Sequence, residues 1–194
     1  MYQMSEEGET MNINIRRIAF PVTSLGIGKR ICIWTSGCDK SCDNCISHDL
    51  KTSYPGDAME IGKVFSIIDR AKDAGVTGLT VSGGEPFLQV EELLFVCEYA
   101  RSLGLDILVY TGYEPAELRK ITDIERVRRA VDVLVTGRYA DPLNDKNDRL
   151  ARLRGSSNQQ VFFINRNLVE DYMKYCSKGR QVIVIGTNTI VGIP

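Results

Sequence analysis

The sequence predicts an α/β fold whose strands run mostly parallel. Three observations carry that expectation. Short apolar runs rich in β-branched residues recur along the chain, amphipathic stretches of about 10–15 residues separate them, and glycines such as Gly75 and Gly104 stand where each helical period ends.

The first clear strand is RICIWTS, 30 to 36, which runs directly into a cysteine-rich loop. A helix is expected over 58 to 73, with Ile61, Val64, Phe65 and Ile68 on one face at i, i+3, i+4 and i+7 spacing and Gly75 to stop it. GLTVS, 78 to 82, reads as a buried strand. Residues 90 to 103 form a second helix through Leu93, Leu94, Val96, Cys97 and Ala100, and DILVYTG, 106 to 112, returns to strand. A third helix over 115 to 130 leads to the strand DVLVTG, 132 to 137. QVFFI, 160 to 164, and QVIVIG, 181 to 186, close the pattern. Residues 1 to 12 read as a flexible N-terminal tail and 13 to 194 as a single domain. Between the last strands lies RYADPLNDKNDRLARLRGSSNQ, 138 to 159. This polar connection exceeds the usual limit of about 12–15 residues, and such loops are generally functional or disordered.

With 194 residues the chain is too short for eight βα repeats, which take about 250. An incomplete barrel or an open parallel sheet fits the count. In either architecture ligands sit beyond the carboxyl ends of the strands. The cysteine loop, SGGEP at 82 to 86 and TGY at 111 to 113 all follow strand ends, so one mouth should gather them.

Hydrophobic residues make up 43% of the chain and charged residues 25%, enough to bury a core. Lys and Arg number 24 against 25 Asp and Glu, and the net charge of -1 supplies no field favouring nucleic acid or an anionic membrane. Small-molecule or protein substrates are expected instead. The opening MYQMSEEGET is acidic where a signal peptide is basic and then apolar, and no stretch approaches the roughly 20 apolar residues of a membrane span. A cytoplasmic location is therefore expected.

In a reducing compartment clustered cysteines point to metal or redox chemistry rather than disulfides. SGCDKSCDNC, 36 to 45, places Cys38, Cys42 and Cys45 within eight positions. Cys32 and Cys97 fall in apolar runs and read as core residues, and Cys176 as a half-exposed structural thiol. Two metal sites suit the cluster. A zinc site would take His48, the sole histidine, as its fourth ligand. A [4Fe-4S] site would use three thiolates and leave one iron open to another ligand. Spacing alone does not choose between them. SGGEP adds a second element: Gly83 and Gly84 let backbone approach a ligand closely, Glu85 supplies a carboxylate, and Pro86 fixes the chain beyond.

Together, CxxxCxxC after the first strand and SGGEP after the second resemble the signature of the radical S-adenosylmethionine (SAM) enzymes. Within that superfamily the chain is most similar to the activating enzymes of glycyl-radical proteins, the activators of anaerobic ribonucleotide reductase among them, over roughly residues 15 to 165. Gly26, Gly28 and Arg30, TGY at 111 to 113, DVLVTG and RGSSNQ at 154 to 159 carry that similarity.

The resemblance implies an incomplete TIM-type βα barrel as a radical SAM core. It implies that Cys38, Cys42 and Cys45 ligate three irons of a [4Fe-4S] cluster, with SAM on the fourth. Ser82, Gly83, Gly84, Glu85 and Pro86 would cradle the methionine end of SAM, and Thr111, Gly137, Ser156 and Asn158 would add contacts to it. The implied activity is reductive cleavage of SAM to a 5'-deoxyadenosyl radical that takes the α-hydrogen of a glycine in a partner enzyme, with no side-chain base. A low-potential donor such as flavodoxin or ferredoxin would supply the electron. The alternatives are radical SAM chemistry on another peptide, protein or small molecule, and a non-catalytic zinc-binding module.

The chain departs from the family pattern in several places. Ile27 stands between two glycines where the family has Pro, and Asn44 precedes the third cysteine where the superfamily often has an aromatic and the activators a Gly. Thr136 replaces an Asp, and the segment after 165 is longer. The 138 to 159 loop and the Gly26 to Arg30 stretch are expected to frame the entrance, and Arg138, Arg152 and Arg154 to offer charge to an acidic partner.

Overall fold

RICIWT is buried at every position, which requires cover on both faces of the strand. The computed structural model, which describes residues 11–143, 147–178, 182–185 and 189–192, supplies that cover. Its main strands are β1 (Asn12–Val22), β2 (Arg30–Thr35), β3 (Ala58–Glu60), β4 (Gly78–Gly83), β5 (Asp106–Tyr110), β6 (Val133–Thr136) and β7 (Gln160–Phe163). They form a seven-stranded sheet in the order β3-β1-β2-β4-β5-β6-β7. The sheet is open, because β3 and β7 lie at opposite edges.

β2, β4, β5 and β6 are parallel neighbours. β1 runs antiparallel to both β2 and β3, and β7 antiparallel to β6, so the expected parallel pattern holds in the centre and reverses at the edges. The expected tail extends to residue 12, but Asn12 already belongs to β1; residues 1 to 10 lie outside the described residues.

The helices are α1 (Ile61–Asp73), α2 (Val90–Ser102), α3 (Pro115–Ile121), α4 (Ile124–Ala130) and α5 (Val169–Cys176), the last of which the sequence pattern does not mark. α1 buries Ile61, Val64, Ile68 and Ala71, and α2 buries the five residues its amphipathic pattern marks. The single helix expected over 115 to 130 is two. Thr122 turns extended at φ -151° and ψ 158°, and the Asp123 carboxylate accepts from Glu125 N to start α4 afresh. The first residues expected in the 58 to 73 helix form β3 instead, hydrogen-bonded to β1.

Strand alternation sorts the core into two sides. Ile31, Ile33, Leu79, Val81, Ile107, Val109 and Leu134 pack with α1, α2 and α4. On the other face Leu108, Val133 and Val135 meet Leu153 and the α5 residues Tyr172, Tyr175 and Cys176. Cys32 and Trp34 meet Val22, Leu25 and Leu50. Cys32 and Cys97 are core residues as expected; Cys176 is buried rather than half-exposed, because α5 turns it onto the sheet. Burial pushes the Cys32 thiol up to about 12 and the Cys176 thiol up to about 11. The strand expected at 181 to 186 is β8 (Val182–Ile185), with residues 181 and 186 outside the described residues. It pairs with β9 (Thr189–Gly192) in a separate two-stranded sheet rather than continuing the main one.

Arg30 is a fully buried charge at the amino end of β2. Its five N–H groups donate to Thr80 Oγ1, Ile27 O, Asp106 Oδ1, Leu79 O and Asp106 O, at 2.6 to 3.1 Å. A Cβ at Gly26 would meet Arg30 Cδ at 2.9 Å, and one at Gly78 would overlap its guanidinium. The Gly26 to Arg30 stretch therefore clasps the amino ends of β2, β4 and β5. It does not frame the mouth, which lies at their carboxyl ends.

Candidate functional site

β2 and β4 end side by side, with Trp34 opposite Ser82 and Thr35 opposite Gly83. Beyond them the cysteine loop is pinned at its base, where Gly37 N donates to Leu50 O and Cys38 N to Lys51 O, both at 2.9 Å. SGGEP docks on the same base: Gly84 N donates to Thr35 O at 2.9 Å and Glu85 N to Gly37 O at 2.8 Å. Side chains at Gly83 or Gly84 would overlap the backbone of Thr35 and Gly37 respectively, and Gly83 sits at φ 124°. The paired glycines thus bring one loop against the other as well as leaving room beside the cavity.

Glu85 is fully buried and ties a third strand end to these two. Oε1 accepts from Phe87 N at 3.0 Å and Thr111 Oγ1 at 2.7 Å, and Oε2 from Gly112 N at 2.7 Å. Burial pushes its pKa up, opposed by these three donors. Gln159 braces the fourth side. Its amide oxygen accepts from Gly155 N and Ser156 N, and its amide nitrogen donates to Gly137 O at 2.9 Å.

These loops enclose a cavity of about 450 Å³, within the roughly 300–1,000 Å³ that small-molecule and cofactor sites occupy. Cys38, Cys42 and Cys45 all line it, together with Ser82, Gly83, Gly84, Glu85, Thr111 and Gly137. The three thiols are free. Asn44, between two of them, holds φ 52°, a left-handed conformation that Gly or Asn tolerates and an aromatic does not favour. That accounts for the absence of an aromatic before the third cysteine.

Lys40, inside the cysteine loop, is buried. Its Nζ lies 2.6 Å from Asp39 Oδ1 and 3.2 Å from the centroid of the Tyr113 ring. Tyr113 Oη donates to Asp39 Oδ2 at 3.0 Å. Lys40 N donates to Cys38 Sγ at 3.4 Å. Burial pushes the Cys38 thiol up, and that backbone N–H pulls it down.

Of the residues the sequence marks, Pro86 and Ser156 are buried outside the cavity lining, and Asn158 is exposed outside it. Ser156 Oγ accepts from Ala140 N and Asn158 Nδ2 donates to Arg138 O, so both brace the 138 to 159 loop. That loop reaches the cavity through Tyr139, Gly155 and Gln159. The arginines expected to meet a partner are engaged at home: Arg138 pairs with Glu117, Arg154 with Asp148, and Arg152 lies 4.0 Å over the Tyr175 ring. Lys40, Tyr110 and Tyr139 lie inside the cysteine loop, the β5 segment and the 138 to 159 loop that the sequence marks, but nothing in the sequence singles them out. Gly112, Gly155 and Gln159 stood inside the quoted TGY and RGSSNQ.

The donor set fits an iron-sulfur cluster. A cubane gives each thiolate its own iron, so its ligands need not meet at one ion, and these three cysteines line one cavity. Among the described residues no three His, Cys, Asp or Glu side chains converge as ligands of a single ion. His48 is exposed and does not line the cavity, so it is not placed as the fourth ligand of a zinc site.

An open α/β sheet carries three cysteines in the loop beyond the carboxyl end of β2, and the chain belongs to the family described as "4Fe-4S single cluster domain", which it matches over residues 24–162. It is also similar to the anaerobic ribonucleoside-triphosphate reductase-activating protein of Pasteurella multocida (strain Pm70). The two are 28% identical over 144 residues, covering 71% of this chain and 89% of that protein. No helix among the described residues is long and apolar enough to cross a membrane.

Proposed function

We propose that residues 13 to 194 form one radical SAM domain with an incomplete-barrel core, and that it activates a glycyl-radical enzyme. Cys38, Cys42 and Cys45 would hold three irons of the [4Fe-4S] cluster, leaving the fourth for the amino and carboxylate groups of SAM. With both bound, the cluster and SAM would supply the chemistry, a one-electron reductive cleavage of SAM to methionine that would lead to removal of the α-hydrogen of a glycine in a partner such as anaerobic ribonucleotide reductase.

The observation that carries this reading is the meeting of the three thiols, Ser82 to Glu85 and Thr111 around one cavity. The reductase-activating name of the relative supports the choice of partner. In this reading the chain binds, orients and shields. Glu85 fixes the strand end at Thr111 and Gly112 against SGGEP, so the ligand meets a preset wall. Leu25, Trp34, Leu50 and Tyr110 line the cavity with apolar surface that limits water and stray hydrogen donors. Ile46, 54% exposed beside Cys45, offers apolar surface to an entering glycine loop. A low-potential flavodoxin or ferredoxin in the cytoplasm would deliver the electron.

The test is anaerobic reconstitution with iron and sulfide, followed by reduction in the presence of SAM. About four irons per chain and release of 5'-deoxyadenosine are expected. A single tightly held zinc with SAM intact would overturn the reading.

A further inference from the structure

The cysteine loop carries a clasp that ligation of a cluster by itself does not require. Lys40 is a cation inside the loop with its side chain only 5% exposed, an uncommon state for lysine unless it is paired. Its partners come from two places: Asp39 next to it, and Tyr113 beyond the end of β5, 74 residues away from Asp39 along the chain. The ammonium is held by the carboxylate and by the ring face together, while the Tyr113 hydroxyl closes the triangle on the other carboxylate oxygen. Gly112 makes the approach possible, since a Cβ there would sit 3.1 Å from Lys40 Cγ and 3.3 Å from Glu85 Oε2. TGY thus receives Glu85 through Thr111 and Gly112 and Lys40 through Gly112 and Tyr113.

The clasp has a direct consequence at sulfur. Pinning the Lys40 side chain fixes the backbone between Cys38 and Lys40, and that backbone presents Lys40 N–H to Cys38 Sγ at 3.4 Å. Hydrogen bonds to ligand sulfurs are among the features that set an iron-sulfur potential. By stabilising negative charge on sulfur they favour the reduced state.

We propose that Lys40 is a positioning residue for the cluster: held by Asp39 and Tyr113, it locks the cysteine loop onto the end of β5 and aims its own N–H at Cys38. This rests on the reading of Cys38, Cys42 and Cys45 as cluster ligands.

The experiment compares the wild-type chain with Lys40→Met, Lys40→Arg and Tyr113→Leu. Two readouts are taken: the rate at which iodoacetamide alkylates Cys38 in the cluster-free chain, and the reduction potential of the reconstituted cluster. Lys40→Met and Tyr113→Leu should change the alkylation rate of Cys38 several-fold and show a more negative potential, whereas Lys40→Arg, which keeps the charge on the ring, should stay near wild type. Failure of Lys40→Met to retain iron while Lys40→Arg is loaded would support the same role. Unchanged potentials in Lys40→Met and Tyr113→Leu would overturn it, whether or not alkylation changes, because a loop anchor without effect on the cluster is only structural. A wild-type chain that takes up no cluster would have a different signature, and would overturn the reading of the site and this inference with it.

Discussion

Thr111 donates its hydroxyl to Glu85 Oε1 at 2.7 Å, joining the end of β5 to the loop after β4. With Phe87 N and Gly112 N the same carboxylate receives three donors and offers none. Glu85→Gln keeps the shape but replaces one acceptor oxygen with an NH₂ group, which then faces an N–H or the threonine hydroxyl. A buried donor left unsatisfied costs about 1–3 kcal/mol, and that loss is expected in urea unfolding of the variant. A stability within error of wild type would show that the network rearranges freely and does not set the cavity wall.

Two cysteines of different standing separate ligation from packing. Cys42 lines the cavity, while Cys97 is fully buried among α2 and its neighbours. Cys42→Ala should abolish cluster retention and SAM cleavage and leave the fold intact. Cys97→Ala should retain the cluster and cost about 1–2 kcal/mol through the small cavity it leaves. Iron content and unfolding free energy measured on both variants check this; equal loss of iron in two folded proteins would contradict the assignment.

The centre of the fold was legible because buried parallel strands read as continuous apolar runs, and RICIWT, GLTVS, DILVY and VLVT all do. The edges were not. β1 carries Arg16 and Arg17 on partly exposed positions, which breaks the alternation that would mark a strand. β7 pairs antiparallel, and no residue pattern announces strand direction. The split of α3 from α4 depends on one capping aspartate within an otherwise helical run. At the site, cysteine spacing and SGGEP marked two walls of the cavity, but the role of Lys40 depends on Tyr113, distant in sequence. In sequence Arg30 reads only as part of a glycine motif, and its place at the amino ends of the strands is not legible there, because its partners Thr80 and Asp106 are set by strand register.

Acid should weaken the pair that ties β1 to the turn before β3. Arg16 donates to both oxygens of Asp57 at 2.8 Å, and this hydrogen bonding holds the Asp57 pKa down from 3.8 to about 2. A carboxylate with a depressed folded pKa contributes stability that is complete above its unfolded value and is lost as pH falls through the folded one. The stability gap between wild type and Asp57→Asn should therefore be full above about pH 5, shrink between pH 4 and pH 2, and vanish below. Urea midpoints across that range test it, and a gap constant with pH would exclude the ion pair as its source.

Arg30 gives the largest expected loss. Every one of its N–H groups is used, and the guanidinium lies against the Asp106 carboxylate at 2.7 Å with no exposed surface of its own. Asp106 in turn accepts from Tyr172 at 3.2 Å, so the pair also holds α5 to the sheet. Removing one partner of a buried ion pair leaves the other uncompensated, at about 3–5 kcal/mol. Arg30→Met should lose that much in chemical unfolding. Arg30→Lys should recover little, since an ammonium supplies three donors to a site built for a planar fork of five. Replacing the pair together, as Arg30→Met with Asp106→Leu, removes both charges and should recover part of the loss. If the double variant is no more stable than Arg30→Met alone, the carbonyls of Ile27 and Leu79 and the Thr80 hydroxyl, rather than the stranded carboxylate, account for the cost.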